Sequence, residues 1–294
     1  MKKLQLAVLI LLLSLGFLVS AKVVPIQEVF MPPGNFPKDK FWKVAAIHWT
    51  PYDSPANANS YEAMAHKQKN WRALESRITQ AARNGAQFIA SPEMATVGYP
   101  AAGDYEDRTE IAPFTEPIPG PTTHYFAKVA YKLSVYLMIP VAEAESATGR
   151  FFNSMVVISP QGQILTKYRK QNLFGNEPAY FSAGNQAATF ASPVGAIGVM
   201  ICADTYDSRV VSQYRNLGVK IISMGAAWTV ANSGMNAFRR SARSVGSYMI
   251  ASNQSFAPDA GIISPDGSIQ SHIRQTRDGI AYGFIPLVSK YRSP

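Results

Sequence analysis

The segment Gly195-Ala196-Ile197-Gly198-Val199-Met200-Ile201-Cys202-Ala203-Asp204 contains an apolar run that leads directly to a thiol and then a carboxylate. An unbroken apolar run of this length is typical of a strand that is buried on both faces of its sheet. Strands of that kind occur where helices cover the sheet. The segment therefore predicts an α/β fold in which Cys202 emerges at the end of a buried strand.

Strand-like and helix-like segments alternate on both sides of this run. Apolar stretches bounded by turn residues predict strands, whereas apolar residues spaced by three, four and seven predict helices. The predicted strands are 43–49, 87–90, 135–141, 154–159, 163–166, 195–201, 219–224 and 248–252, and the predicted helices are 60–84, 122–133, 208–217 and 235–246. Pro160-Gln161-Gly162 and Pro265-Asp266-Gly267 predict hairpins, so we expect mixed rather than purely parallel sheets.

The N-terminus has the features of a secretory signal. A cationic start, Met1-Lys2-Lys3, precedes an apolar run that ends in Val19-Ser20-Ala21. We interpret residues 1–21 as a signal peptide and 22–294 as one catalytic domain, with an uncleaved membrane anchor as the alternative. The predicted location is the periplasm or the exterior of the cell, and the mature chain is not expected to insert stably into a membrane.

Composition narrows the possible functions of the chain. It has 294 residues, 47% of them hydrophobic, a formal charge of +9 and one cysteine. Its basic residues are dispersed, so no nucleic-acid partner is expected. The single cysteine cannot form an internal disulfide, and an exported unpaired thiol is a chemical hazard, which favours a use for Cys202 over simple core packing. The four histidines have no paired ligand spacing, so neither a metal nor a cofactor is expected.

Three polar side chains follow predicted strands: Glu93, Lys170 and Cys202. Loops at one edge of a sheet can converge on a pocket, so their separation along the chain does not prevent contact. Glu93 lies in an apolar context, where an ionised carboxylate is costly unless it is paired. A nearby ammonium such as that of Lys170 would lower the pKa of a thiol. Individually, each of these residues could equally be ordinary surface or core.

Three motifs in order around these residues resemble those of the nitrilase, or carbon–nitrogen hydrolase, superfamily: Ser-Pro-Glu-Met-Ala-x-x-Gly-Tyr (Glu93), Lys-Tyr-Arg-Lys-Gln-Asn-Leu-Phe (Lys170) and Gly-Val-Met-Ile-Cys-Ala-Asp (Cys202). The resemblance implies a four-layer α-β-β-α sandwich with two mixed β-sheets, a homodimer or larger homo-oligomer, and a Glu-Lys-Cys catalytic triad. The segment Pro140-Val141-Ala142-Glu143 is similar to the one that carries the family's second glutamate. Glu143 is therefore expected to orient Lys170.

The resemblance also implies a reaction, the hydrolysis of a small-molecule amide through a cysteine thioester. Arg169-Lys170-Gln171-Asn172-Leu173-Phe174 looks most like the biotinidase and vanin (pantetheinase) branch, although this chain lacks that branch's additional domain and disulfides. Candidate substrate-binding residues near the strand ends are Tyr99, Phe174, Tyr206 and Trp228. The alternatives are an acyltransferase that uses the same thioester, a catalytically silent binding protein and, less favoured, a papain-like Cys/His enzyme.

Overall fold

Strands and helices alternate along the chain, as the apolar pattern predicts. The computed structural model describes residues 28–31, 34–99, 108–230 and 233–288, and the predicted signal peptide lies outside them. The strands are β1 (Glu28–Phe30), β2 (Phe41–His48), β3 (Phe88–Ala90), β4 (Tyr136–Glu145), β5 (Arg150–Ile158), β6 (Ile164–Arg169), β7 (Ala188–Ser192), β8 (Gly195–Ile201), β9 (Ile221–Ala226), β10 (Tyr248–Asn253), β11 (Ala260–Ile263), β12 (Ile269–Ile273) and β13 (Gly279–Pro286). The helices are α1 (Ser60–Arg83), α2 (Arg108–Ile111), α3 (Pro121–Leu133), α4 (Ser208–Asn216) and α5 (Ser233–Val245).

The described strands form two sheets that are joined by β-pairing at a single residue pair. Strands β6-β5-β4-β3-β2 are extended by β13 and β1, and strands β7-β8-β9-β10 are extended by β11 and β12. Between β2 and β10 the only paired residues are His48 and Asn253. Each sheet combines parallel pairs, such as β2 with β3 and β8 with β9, and antiparallel pairs, such as β4 with β5 and β7 with β8. Both sheets are therefore mixed, which confirms the prediction.

Residue alternation along β2 shows how the first sheet is covered on both faces. Val44 and Ala46 belong to a core that also contains residues of the second sheet. Their neighbours Ala45 and Ile47 belong to a separate core with residues of α1 and α3, including Leu74. Because successive side chains on a strand point to opposite faces, the first sheet lies between the two helices and the second sheet.

Two other helices cover the outer face of the second sheet. Val211 of α4 and Phe238 of α5 are buried in the same core as the strands β8, β9 and β10. The layers are thus helices, sheet, sheet and helices, which confirms the α-β-β-α sandwich. No helix among the described residues is long and apolar enough to cross a membrane.

Local sequence signals explain the bounds of the longest helix. The side chain of Asn59 accepts the N–H groups of Tyr61 and Glu62, and the side chain of Glu62 accepts the N–H of Asn59, which forms a capping box. The helix ends before Gly85, whose φ of +83° lies in the left-handed region. The buried side of this helix includes Trp71, Leu74 and Ile78, as the apolar spacing predicts.

The edge strand β7 was not predicted. Its sequence Ala188-Thr189-Phe190-Ala191-Ser192 is short and mostly small, and it gives no strong period of two. Its strand conformation comes from antiparallel pairing with β8, which is a tertiary contact. The predicted strand 219–224 is shifted by two residues relative to β9 for a similar reason, since pairing with both neighbours sets its bounds.

Candidate active site

Glu93, Lys170 and Cys202 line one cavity of about 810 Å³. They follow the ends of β3, β6 and β8, respectively. The parallel strands β3, β8 and β9 end at the same edge of the sandwich, so residues far apart in sequence meet there. A cavity of this size is typical of a site for a small molecule.

Lys170 is held between two buried carboxylates. Its Nζ donates hydrogen bonds to Glu93 Oε1 (2.8 Å) and to Glu177 Oε2 (2.7 Å), and all three side chains are almost completely buried. Burial alone lowers the pKa of Lys170, but the charges of Glu93, Cys202 and Glu177 raise it overall above its usual value. The side chain is therefore a fixed ammonium that directs its charge at the cavity.

Glu177 is a site residue that sequence reasoning missed. Its Oε2 accepts from Lys170 Nζ and from the N–H of Phe174 (2.7 Å), and its Oε1 accepts from Tyr99 Oη (3.2 Å) and Asn153 Nδ2 (3.1 Å). Burial and the charge of Glu93 raise the pKa of Glu177 overall, although Lys170 and the N–H of Phe174 lower it. The sequence signal that could have found it is a carboxylate beside Pro178 in the turn after the Lys170 motif.

The predicted role of Glu143 as the partner of Lys170 is wrong. Glu143 Oε1 accepts from Lys167 Nζ (2.5 Å) and Arg169 Nη2 (2.5 Å), and its Oε2 accepts from Ser154 Oγ (2.6 Å). Lys167 and Arg169 each lie an odd number of positions before Lys170. Because successive side chains of an extended chain point to opposite faces, both point to the side of the sheet opposite to Lys170. Burial raises the pKa of Glu143, but these hydrogen bonds lower it overall. The partner of Lys170 is instead Glu177.

Glu93 is fixed by donors from four different segments, one of them the segment of Lys170. Asn153 Nδ2 donates to Glu93 Oε1 (2.7 Å), and the N–H of Ala227 donates to Oε2 (3.0 Å). Gln254 Nε2 binds the backbone carbonyl of Glu93 (2.8 Å). Oε1 thus receives two donors, one of them Lys170, and Oε2 receives one. Oε2 is therefore the oxygen that is better able to accept a proton from a neighbouring group.

Cys202 occupies a strained turn directly after β8. Its φ of +44° lies in the left-handed region, which is uncommon for a residue with a side chain, and Thr205 Oγ1 donates to its carbonyl (3.0 Å). Such strain is often found at functional positions, where the surrounding structure enforces it. The turn places the thiol on the cavity wall, with 9% of the residue exposed.

The protonation of Cys202 differs from the sequence expectation. Burial and the nearby Glu93 raise the pKa of the thiol well above its usual value, although Lys170 and the N–H of Ala227 lower it. The shift favours the neutral thiol over the thiolate before substrate binds, because Lys170 does not outweigh burial and Glu93. Attack by this sulfur requires a base to take its proton, and the carboxylate of Glu93 is next to it.

Asp204 joins the Cys202 turn to the Lys170 loop. Its carboxylate accepts the N–H groups of Ile201 (2.9 Å), Gln171 (3.2 Å) and Asn172 (2.8 Å), as well as the hydroxyl of Tyr168 (2.7 Å). Burial raises the pKa of Asp204 to about 6, although the donors oppose this shift. This side chain therefore sets the spacing between the nucleophile and the cation.

All four predicted substrate-binding residues, Tyr99, Phe174, Tyr206 and Trp228, line the cavity. Tyr206 and Trp228 lie with ring centroids 5.0 Å apart, and Trp228 Nε1 donates to Ser233 Oγ (2.7 Å). Phe174 and Tyr206 are largely exposed, whereas Trp228 is buried. The floor of the cavity is therefore polar and charged, and its upper wall is aromatic.

This arrangement can carry out acyl transfer. It combines a thiol, a carboxylate that can take and return a proton, and an ammonium with one N–H not used by the carboxylates. The same parts could also bind a carbonyl compound without reaction.

In comparison with known proteins, a family profile matches most of the chain, and individual relatives match about half of it. A profile of the carbon–nitrogen hydrolase family matches residues 43–292. A nitrilase of Pyrococcus abyssi (strain GE5 / Orsay) is 34% identical over 140 residues, which cover 47% of this chain and 51% of the relative. The omega-amidase NIT2 of Homo sapiens is 29% identical over 162 residues, covering 52% and 56% of the two chains. A pantetheinase of Bos taurus is 26% identical over 196 residues, covering 57% and 38%.

The chain spans about half the length of the first two of these relatives, and less of the third. Among solved structures, an amidase of Nesterenkonia AN1 from the nitrilase superfamily covers 86% of this chain and 94% of its own, with a TM-score of 0.70 and 15% identity. Saccharomyces cerevisiae Nit3 has a TM-score of 0.65 at 18% identity and covers 84% of this chain and 90% of its own. At these identities the similarity is one of fold.

Proposed function

Because the chain belongs to the carbon–nitrogen hydrolase family, we propose that it is an amidase that cleaves a non-peptide amide through a thioester on Cys202. The observation that carries this proposal is the placement of a buried Glu93–Lys170 pair and the Cys202 thiol on the wall of one cavity. A binding protein has no need for an unpaired thiol beside a base and a cation. The catalytic roles of these three residues are part of the proposal.

In the first half-reaction, the thiol proton passes to Glu93 Oε2 while Sγ attacks the carbonyl carbon of the amide. The oxyanion that forms is stabilised by the third N–H of Lys170 and by the backbone N–H of Ala203. Glu93 then returns the proton to the leaving nitrogen, the C–N bond breaks, and the acyl group stays on sulfur as a thioester.

In the second half-reaction, a water molecule replaces the amine. Glu93 takes a proton from this water, and the resulting hydroxide attacks the thioester carbonyl. The same donors stabilise the second oxyanion. The C–S bond then breaks, the thiol regains its proton, and the carboxylic acid leaves.

The substrate within this class is proposed from the Lys170 motif, which resembles that of the biotinidase and pantetheinase branch. The similarity to the pantetheinase of Bos taurus supports this choice, although the nitrilase and omega-amidase relatives represent other branches. A panel of pantetheine, biotinyl amides and simple aliphatic amides covers these possibilities. The product amine or ammonia identifies the branch.

Intact-mass analysis during turnover tests the mechanism. We expect an acyl adduct on the wild-type protein that is absent from Cys202→Ala. Lys170→Met would form the adduct at least 100-fold more slowly, because one oxyanion donor is typically worth that much. Undiminished turnover by Cys202→Ala would refute covalent catalysis at this residue.

Acyl transfer to an amine is the second candidate, since the same thioester serves either acceptor. Adding hydroxylamine to the reaction separates the two outcomes. A hydrolase gives mainly the acid at low hydroxylamine concentration, whereas a transferase gives mainly the hydroxamate.

Export and self-association are also proposed, on the N-terminal sequence and on the family resemblance. The mass of the mature protein from a secreting host would show cleavage after Ala21, and retention of residues 1–21 would favour the anchored alternative. Light scattering of the purified protein measures its oligomeric state, for which we expect a dimer.

A further inference from the structure

The charged groups on the cavity wall are mostly negative. Asp53, Glu93 and Glu177 contribute three carboxylates, and Lys170 is the sole cationic side chain among the lining residues that the structure describes. The local charge is thus opposite in sign to the overall charge of +9.

Lys170 is already occupied by these carboxylates. Two of its three N–H groups bind Glu93 and Glu177, and the proposed mechanism uses the third for the oxyanion. A carboxylate or phosphate on the substrate would therefore lack a cationic partner. It would also lose its hydration and approach the carboxylates of the site, both of which disfavour binding.

The remaining wall offers apolar rather than ionic contacts. Trp228 and Tyr206 stack at a tilt, and Val230 and Phe256 expose apolar surface beside them. Trp228 is held in place by its Nε1–H bond to Ser233 and by edge-on packing against a buried phenylalanine of α5. A fixed aromatic surface of this kind binds uncharged methylene chains and rings well.

We infer that the enzyme selects amides whose groups beyond the scissile bond are neutral or cationic, and that it rejects amides bearing a carboxylate or phosphate. This inference rests on the proposed function and specifies its substrate class. The specificity arises from the excess of carboxylates over cations in the cavity together with the aromatic wall. We expect neutral amides to bind at least about 30-fold more tightly than matched anionic amides, which corresponds to about 2 kcal/mol.

Binding to Cys202→Ala tests the inference without requiring turnover. The probes are hexanamide, adipamate (the monoamide of adipic acid) and 6-aminohexanamide, which share a six-carbon acyl chain and differ in the charge at its far end. Calorimetry or intrinsic tryptophan fluorescence, to which Trp228 in the cavity wall contributes, gives the dissociation constants at low ionic strength. We expect hexanamide to bind tightest and 6-aminohexanamide to bind better than adipamate, since a polarity effect alone would weaken both charged ligands equally.

The contribution of charge is tested with Asp53→Asn, because Asp53 is exposed at the cavity and its replacement by asparagine preserves its shape. We expect this change to reduce the ratio of the dissociation constants of adipamate and hexanamide at least 3-fold. About 0.5 M salt should reduce the same ratio by screening the charges. Equal or tighter binding of adipamate, or no binding of any probe at millimolar concentration, would overturn the inference. Failure of the wild type to form an acyl adduct, with the order of binding preserved, would overturn only the proposed function.

Discussion

Replacing Glu177 and Glu143 separately by glutamine decides which glutamate supports Lys170. Both are buried, and each accepts hydrogen bonds from a lysine. Both substitutions preserve size and remove one negative charge. They therefore form a matched pair in which Glu143→Gln controls for the loss of a buried carboxylate as such.

The expected loss of stability in Glu177→Gln follows from the four hydrogen-bond donors that Glu177 binds. The new NH₂ group must replace one oxygen, and each oxygen receives two donors: Lys170 Nζ and the N–H of Phe174 on one, Tyr99 Oη and Asn153 Nδ2 on the other. An unsatisfied buried donor costs about 1–3 kcal/mol, and breaking a buried ion pair costs about 3–5 kcal/mol. We expect the free energy of unfolding to fall by about 3–5 kcal/mol. We also expect kcat to fall about 100-fold, because Lys170 is no longer held in place.

The cost of Glu143→Gln is smaller because its cationic partners are partly in water. The side chains of Lys167 and Arg169 are 34% and 23% exposed, so solvent can replace part of the lost interaction. We expect a loss of about 1–2 kcal/mol in the free energy of unfolding. The value of kcat should stay within about 3-fold of the wild type, since the side chains that bind Glu143 in the described part of the chain, Ser154, Lys167 and Arg169, do not line the cavity.

Three measurements on each variant separate an effect on the position of Lys170 from an effect on the stability of the fold. They are urea unfolding, kcat and KM, and the rate at which methyl methanethiosulfonate modifies Cys202 as a function of pH. The charge of Glu177 raises the pKa of the Cys202 thiol, so Glu177→Gln is expected to lower that pKa and shift the rate profile to lower pH. Glu143→Gln should leave the profile unchanged. A large loss of kcat in Glu143→Gln together with a normal Glu177→Gln would refute the assignment of Glu177.

Three further predictions concern the nucleophile and its supports. Because burial and Glu93 raise the pKa of the Cys202 thiol, its modification rate in the wild type should rise about tenfold per pH unit between about pH 7 and 9; a plateau that begins below pH 7 would instead indicate a preformed thiolate. Asp204→Asn should lower the free energy of unfolding, measured with urea at pH 8, by about 2–4 kcal/mol, because an NH₂ group would face at least one of the N–H donors. An unchanged urea midpoint would contradict the role of Asp204 in joining the Cys202 turn to the Lys170 loop. Gly225→Ala should abolish activity or folding, because its Cβ would lie 2.7 Å from the backbone oxygen of Ser91 and 3.1 Å from the backbone nitrogen of Glu93, neither of which can move aside as a side chain can. Wild-type values of kcat/KM and of the urea midpoint would show that this packing is not tight.

Much of the fold can be predicted from the sequence because burial on both faces leaves a local signature. The apolar run before Cys202 predicts β8 with its observed bounds, and the spacing in 60–84 predicts α1 to within one residue. In both cases the signal is the periodicity of one element, which depends only on which faces are covered. The sequence of strand β7 has no such periodicity. Its strand conformation depends instead on pairing with β8.

The candidate site divides in the same way. Glu93, Lys170 and Cys202 could be found because each follows a predicted strand and lies in a motif of its own. Glu143 could not be excluded from sequence, since its placement depends on the side of the sheet toward which it points. Glu177 could not be found either, because a turn of the chain brings it back to Lys170.

The sequence alone thus determined the layers, the family resemblance and the three groups of the proposed chemistry, because periodicity and motif are properties of neighbouring residues. The tertiary structure decided which carboxylates meet Lys170, that the surroundings of Cys202 raise the pKa of its thiol, and that the charged groups of the cavity wall are mostly negative. These properties depend on distances and burial among residues from separate segments. Electrostatic energies vary steeply with both, so the order of residues along the chain does not specify them.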